Sequence, residues 1–139
     1  MTAKEYLDQY LALKTDVKAI MERRKFYLDL AQKCTPEYGA APGGGGSGEG
    51  KVSRYGCKAA DKARELDERI AKLVELEQEI EGTIAEISDA TARSVLTYKY
   101  INGWRLKEIA DRMGYSHEYV RHLHTDALEM VVVPTKYGT

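Results

Sequence analysis

The apolar positions of the chain form two long stripes with a helical repeat, separated by a glycine-rich stretch. Thr2 and Glu5 have the spacing of a capping box, which predicts that the first helix begins near Thr2. The helix should end before Pro36, because the residue before a proline leaves the helical region. Its seam residues recur at steps of three and four, as in a coiled coil, with one charged exception: Tyr6, Tyr10, Leu13, Val17, Ile20, Arg24, Tyr27 and Ala31.

The second stripe predicts a helix from about Ala59 to Ile87. Residues 35–58 before it contain eight glycines between Gly39 and Gly56, and so much backbone freedom predicts a mobile loop. The seam of the second helix again has steps of three and four and one charged exception: Ala63, Leu66, Ile70, Leu73, Glu77, Ile80, Ile84 and Ile87.

Two helices joined by such a loop can close as an antiparallel hairpin. Closure would place each charged seam residue beside an opposite charge: Arg24 near Glu68, and Glu77 near Lys14 or Lys18. Two helices alone make a thin core. We therefore expect the hairpin to pair with a second copy of the chain or to dock on the C-terminal part.

The C-terminal part, from about Ala92 to Met130, has the pattern of three short helices with two tight breaks. A helix over residues 106–113 ends at Gly114, which suits a sharp corner, and Ser116 stands where the next helix needs an N-cap. Ala110, Gly114 and Val120 supply the small crossing residue, the corner and the buried branched residue of a helix-turn-helix.

These residues resemble region 4 of sigma-70-type factors, a promoter-reading helix-turn-helix module. The whole chain is also similar to small phage and prophage proteins described as sigma-like or late-operon (ArpU/RinA-like) regulators. One position departs from the family, because Arg105 replaces the usual Ser or Thr cap. The matching positions are Tyr100 with Gly103, Glu108-Ile109-Ala110, Gly114-Tyr115-Ser116 and Ala127-Leu128.

The expected architecture is all-α: a long antiparallel, coiled-coil-like hairpin over residues 1–90, with a flexible loop at about 35–58, then a three-helix helix-turn-helix module over residues 91–133 and a tail over residues 134–139. Net charge is −1, but it is unevenly distributed, and the predicted second helix is strongly acidic. The C-terminal part carries a basic excess and all three histidines, so it is the part suited to DNA.

In a helix-turn-helix, the second helix enters the major groove and its outward side chains read base edges. Arg121 is the strongest candidate, since a guanidinium can grip O6 and N7 of guanine, and Glu118 can accept from cytosine. The full base-reading set, on which the resemblance agrees, is His117, Glu118, Tyr119, Arg121 and His122. Phosphate contacts are expected from Arg105, Lys107, Arg112 and Thr125.

The histidines do not predict a metal site. His117, His122 and His124 lack the three- or four-residue spacing of a helical ligand pair. They do predict tighter and less selective DNA binding at about pH 6, where histidines gain charge. No catalytic constellation stands out, so neither an enzyme nor a cofactor is expected.

The sequence thus predicts a sequence-specific DNA-binding transcriptional regulator of phage or prophage type, located in the cytoplasm of a bacterial host. Its partners would be double-stranded DNA, RNA polymerase by resemblance, and a second copy through the hairpin, with no membrane. Two other functions stay open. One is a DNA-packaging protein like a small terminase subunit, and the other is a helical protein-interaction adaptor without DNA binding.

Overall fold

The computed structural model describes residues 1–33 and 46–138, and this part of the chain is helical without any strand. The order is α1 (Ala3–Lys33), α2 (Gly46–Ala85), α3 (Ala90–Leu96), a π-helical turn (Thr97–Ile101), α4 (Leu106–Met113), α5 (His117–Met130) and a 3-10 turn (Thr135–Tyr137). The predicted all-α architecture, long helices followed by a module of short ones, is confirmed. Within the described residues, no helix is long and apolar enough to span a bilayer.

The first helix begins where the capping box predicted. The Glu5 amide donates to Thr2 Oγ1 over 3.1 Å, and the Thr2 amide donates to Glu5 Oε2 over 3.1 Å. These two hydrogen bonds satisfy donors that the helix end leaves without backbone partners. The side chain of Thr2 therefore fixes the start of α1.

The second helix begins earlier than the apolar pattern predicted. α2 starts at Gly46 rather than near Ala59, so residues 46–58 are helical where the sequence predicted a loop. Gly56 is the only glycine between residues 51 and 58, so little helix propensity is lost beyond the glycine-rich run. Residues 34–45, the rest of the predicted loop, lie outside the described residues.

The chain contacts define two compact units, which we call the first unit (Met1–Lys14 with Leu73–Thr139) and the second unit (Thr15–Lys72). In the first unit, the ends of the two long helices share one core with the short helices. This corresponds to the expected docking on the C-terminal part. The buried members of this core are Tyr6, Leu7, Tyr10, Ile80, Ile84, Ile87, Ala92, Leu96, Tyr100 and Ala127.

Within the first unit, α1 and α2 run antiparallel. The Tyr6 hydroxyl donates to Glu79 over 3.2 Å, and the Tyr10 hydroxyl donates to Glu77 over 3.1 Å. Glu77 was predicted to lie near Lys14 or Lys18. Its hydrogen-bond partner is Tyr10, and Lys14 Nζ lies 5.9 Å from the centroid of the Tyr10 ring. The Tyr10 ring fills the seam while its hydroxyl donates to the carboxylate.

The second unit has a thin core. Among its described side chains, the buried apolar ones are Val17, Ala59 and Leu66. Arg24, predicted in the seam, is exposed instead, since an arginine in an apolar interface would need a compensating partner. Four large apolar side chains of this unit are also exposed: Met21, Phe26, Leu28 and Ile70.

The C-terminal tail carries contacts that the sequence did not reveal. The Tyr137 ring lies 5.1 Å from the Tyr6 ring, and its hydroxyl donates to Glu79 over 2.8 Å. Lys136 forms an ion pair with the same carboxylate. Desolvation raises the pKa of Glu79, but hydrogen bonds from Lys136, Tyr137 and Tyr6 outweigh it and hold the pKa below its ordinary value. Glu79 thus fastens the tail to α2.

Candidate nucleic-acid interface

The turn between α4 and α5 is built by two residues with fixed local roles. Gly114 ends α4 at φ +75°, a left-handed conformation that glycine adopts without steric cost. The next amide, from Tyr115, donates to the Ala110 carbonyl over 3.0 Å. Ser116 then begins α5, because its Oγ accepts the Tyr119 amide over 3.1 Å. Both predicted roles are confirmed.

A small apolar core holds α4 and α5 at their crossing. Ala110 and Val120 are buried against each other's helices, as the spacing predicted. Ile109 and Val95 complete the buried set, and Val95 brings α3 into the same cluster. The half-buried side chains around this cluster are Tyr98, Trp104, Leu106, Met113 and Leu123. Because the inward face of α5 is fully used for packing, its outward face is held in a defined direction.

All five predicted base-reading residues are exposed, and they occupy the first turns of α5: His117, Glu118, Tyr119, Arg121 and His122. The Tyr119 ring packs edge-on against Tyr115, with ring centroids 5.1 Å apart and planes at 81°. Tyr115 was not among the predicted readers. The aromatic pair therefore adds a second exposed ring beside the helix start.

The four residues predicted to contact phosphates are also exposed. Arg105 precedes α4 in an extended conformation and makes no side-chain cap, as its replacement of Ser or Thr implied. The Arg112 guanidinium lies 4.1 Å from the centroid of the Trp104 ring, which restricts its motion. The Thr125 hydroxyl donates to the Arg121 carbonyl over 3.1 Å, so it is used within α5.

A shallow groove of about 270 Å³ runs along α5 beside the start of α4. Three of the predicted base readers line it, together with one predicted phosphate contact. The lining side chains are Leu106, Glu118, Arg121, His122, His124 and Thr125. The groove thus brings polar donors and acceptors from both predicted sets onto one surface.

One histidine of α5 does not belong to the outward set. His124 Nε2 lies 2.6 Å from the Tyr100 hydroxyl, and the two rings stack at 5.6 Å. Burial, assisted by the charges of Lys99 and Lys4, lowers the pKa of His124. Burial also raises the pKa of Tyr100. The signal was present in the sequence, because position 124 follows Val120 by four residues and shares its inward face.

A π-helical turn at Thr97–Ile101 was not predicted. The Asn102 amide donates to the Thr97 carbonyl over 3.0 Å, a five-residue step that widens the helix. The turn lets Tyr100 enter the main core while the Tyr98 ring stacks on Trp104 at 4.6 Å. Trp104 therefore serves as a packing residue under the module. In the part of the chain that the structure describes, no group of acids, histidines or cysteines could hold a metal ion.

The comparison with known families concerns this same module. Residues 89–131 match the family described as Sigma-70, region 4. The matched segment begins at Asp89, whose side chain caps α3, and ends at Val131, which follows the last residue of α5. No curated protein and no solved structure matches the chain. Residues 89–131 thus form a sigma-70 region 4-like helix-turn-helix, a DNA-binding type of domain rather than a catalytic one.

Proposed function

We propose that this protein is a sequence-specific transcriptional regulator of phage or prophage type, which inserts the first turns of α5 into the major groove of DNA. The observation that carries the proposal is the division of α5 into two faces. Val120 and Ala127 are buried, whereas the predicted base readers are exposed. A rigid helix that presents polar side chains in one direction is what major-groove recognition requires.

Each proposed reader has a chemical role. Arg121 would donate two hydrogen bonds to O6 and N7 of a guanine, and Glu118 would accept from the amino group of a cytosine. Tyr119, with its exposed ring, suits the methyl group of a thymine. His117 and His122 can donate or accept, so they contact bases or phosphates on either side of these positions.

The proposed phosphate contacts flank the readers. Arg105 and Lys107 lie at the start of α4, Arg112 lies near its end, and Thr125 follows the readers on α5. Such contacts fix the position of a protein on the duplex without reading sequence. Trp104 supports this role for Arg112, because the stacked guanidinium retains free N–H donors at its edge.

RNA polymerase and a second copy of the chain are the proposed protein partners. The region 4 likeness supports the polymerase contact, and the thin core of the second unit supports pairing between copies. A dimer would read two half-sites about one helical turn apart, or a multiple of that distance. Size measurement by light scattering distinguishes this from a packaging protein, which would form a larger ring.

The test is selection of bound DNA from a random duplex pool at near-physiological salt. The wild-type chain should enrich one motif, and Arg121→Ala should lose preference at one base pair, by about 1–3 kcal/mol. Arg64→Ala is the matched control, because it removes an exposed arginine of the second unit that is paired with Asp61 and lies outside the region 4 match. Failure of the wild-type chain to enrich any motif would favour the adaptor or packaging function.

A further inference from the structure

The second unit carries a surface cluster of cations and aromatic rings, which we call the Arg23 cluster: Arg23, Phe26 and Tyr27 from α1, and Lys58 from α2. The Arg23 guanidinium carbon lies 4.9 Å from the Phe26 ring centroid and 5.0 Å from that of Tyr27. Arg23 Nη2 also donates to the Tyr27 hydroxyl over 2.9 Å. Lys58 Nζ lies 5.5 Å from the Tyr27 ring centroid.

The aromatic rings of the cluster are not used as a core. Phe26 is 47% exposed, and its ring contacts Tyr27 edge-on at 5.5 Å. Both rings contact the same guanidinium, which restricts its motion. An arginine restrained in this way loses less side-chain entropy when it binds an anion, and its remaining N–H groups match the oxygens of a phosphate.

The electrostatic environment of the cluster is positive. The hydrogen bond from Arg23 lowers the pKa of the Tyr27 hydroxyl, desolvation by burial opposes this effect, and the charges of Arg23, Lys58 and Lys62 add to the lowering. The acidic side chains nearby on α2 are engaged, since Asp61 pairs with Arg64 and Glu65 pairs with Lys62. Glu22 and Asp29 are exposed on α1.

We propose that the Arg23 cluster is a second, sequence-independent DNA contact that binds the phosphodiester backbone of duplex DNA. Its charge is complementary to phosphate, and its guanidinium is positioned before binding. A single strand would need open aromatic faces for base stacking. Both cations of the cluster lie over Tyr27, and Arg23 also lies over Phe26. Occupied ring faces favour a backbone contact over stacking.

This contact goes beyond the function proposed for α5, because the cluster lies in the second unit and outside the region 4 match. It would raise affinity for all DNA equally and leave sequence preference to the module. Counterion release gives such contacts a measurable signature. Each phosphate neutralised steepens the fall of log affinity with log salt by about 0.9.

The experiment measures affinity of the full chain for a random-sequence duplex between about 50 and about 200 mM salt. Arg23→Ala/Lys58→Ala should make the salt slope shallower by roughly 2. The matched control is Lys18→Ala/Lys25→Ala, which also removes two exposed cations. These lysines lie about 140° to about 160° around α1 from Arg23, so their loss should leave the slope nearly unchanged.

Equal slopes for the two double variants would overturn the proposal. So would a loss of affinity confined to a single strand of the same length and reproduced by Phe26→Ala, because that pattern identifies base stacking. This test does not depend on whether α5 recognises a specific DNA sequence. Arg121→Ala should lose motif preference but keep the slope contribution of the cluster, and a chain that enriches no motif still tests the cluster on random duplex.

Discussion

The two units use the same long helices but bury them to different extents. On α2, Ile80 is fully buried in the first unit, whereas Ile70 in the second unit is 38% exposed. In the first unit the helix packs against α1 and the short helices together. In the second unit the described buried apolar side chains number three, Val17, Ala59 and Leu66. The same seam pattern therefore yields very different burial.

A heptad-like stripe therefore predicts a helix better than it predicts a core. Apolar burial contributes about 25 cal/mol per Å² only when a partner surface removes the side chain from water. The module supplies that surface in the first unit. In the second unit, part of the stripe stays exposed, and cations and aromatic rings form a surface cluster instead.

The largest expected effect is a direct test of this contrast with one substitution at two positions. Ile80→Ala should lower the free energy of unfolding by about 2–5 kcal/mol, because it opens a cavity in a packed core. Ile70→Ala should cost less than about 1 kcal/mol, since the side chain already contacts water. Urea denaturation followed by circular dichroism measures both midpoints.

The control for this pair is to measure both costs in unfolding free energy at several protein concentrations. If Ile70→Ala costs as much as Ile80→Ala, and the cost grows as the protein concentration is raised, a second copy covers the second unit. Equal costs at all concentrations would instead mean that the contrast between the units is wrong.

What the sequence could predict was local. The Thr2 and Ser116 caps and the Gly114 corner depend on residues within one helical turn, and each is present as predicted. Burial of Val120 on α5 was also predicted from local information, because it follows from helical spacing. The five base readers are exposed as expected, but their role stays a prediction.

What the sequence could not predict depends on tertiary contacts. The partner of Glu77 follows from the relative shift of two helices, which dense surface charge does not determine. The hydrogen bond between His124 and Tyr100 requires Tyr100 to enter the core through the π-helical turn, which the sequence did not predict. The tail contact at Glu79 joins residues 58 positions apart, and no local pattern specifies it. The division at residue 90 into hairpin and module stays a prediction.

A second prediction concerns the missing cap in the first unit. Arg105→Ser should raise the free energy of unfolding by about 1 kcal/mol, because the backbone at this position is already extended and a serine Oγ could accept an orphan amide of α4. Hydrogen exchange should show added protection in α4 and α5 and none in residues 53–72. The same variant should make the salt slope of DNA binding shallower by about 1. An unchanged slope would remove Arg105 from the phosphate contacts.

A third prediction uses His124, the half-buried histidine of the first unit. Because the pKa of His124 is depressed in the folded chain, the unfolded chain binds its proton more readily as pH falls. The stability that the neutral His124 side chain contributes to the folded chain is thus fully present above pH 6.5, the ordinary histidine pKa. It is lost as the pH drops below that value. The urea midpoint of the wild-type chain should decrease as the pH is lowered from about 7.5 to about 5.5.

Two variants separate His124 from the exposed histidines. His124→Gln should flatten this part of the pH profile, whereas His122→Gln should leave it unchanged because His122 is exposed. Tyr100→Phe should cost about 0.5–1.5 kcal/mol at neutral pH, the value of one hydrogen bond. A steep pH profile in His124→Gln would assign the effect to another group.

The smallest effect compares the units again, through two glycines of the same helix. Gly56 in the second unit and Gly82 in the first are helical, and an added Cβ would meet nothing within 4 Å at either. Alanine at such a position favours the helix by about 0.5–1 kcal/mol. If the second unit opens before the first, Gly82→Ala should raise the main denaturation midpoint, while Gly56→Ala should only increase exchange protection of nearby amides. Equal increases in the midpoint would show that α2 unfolds cooperatively along its whole length. The thin core of the second unit would then be stabilised through the helix that it shares with the first unit.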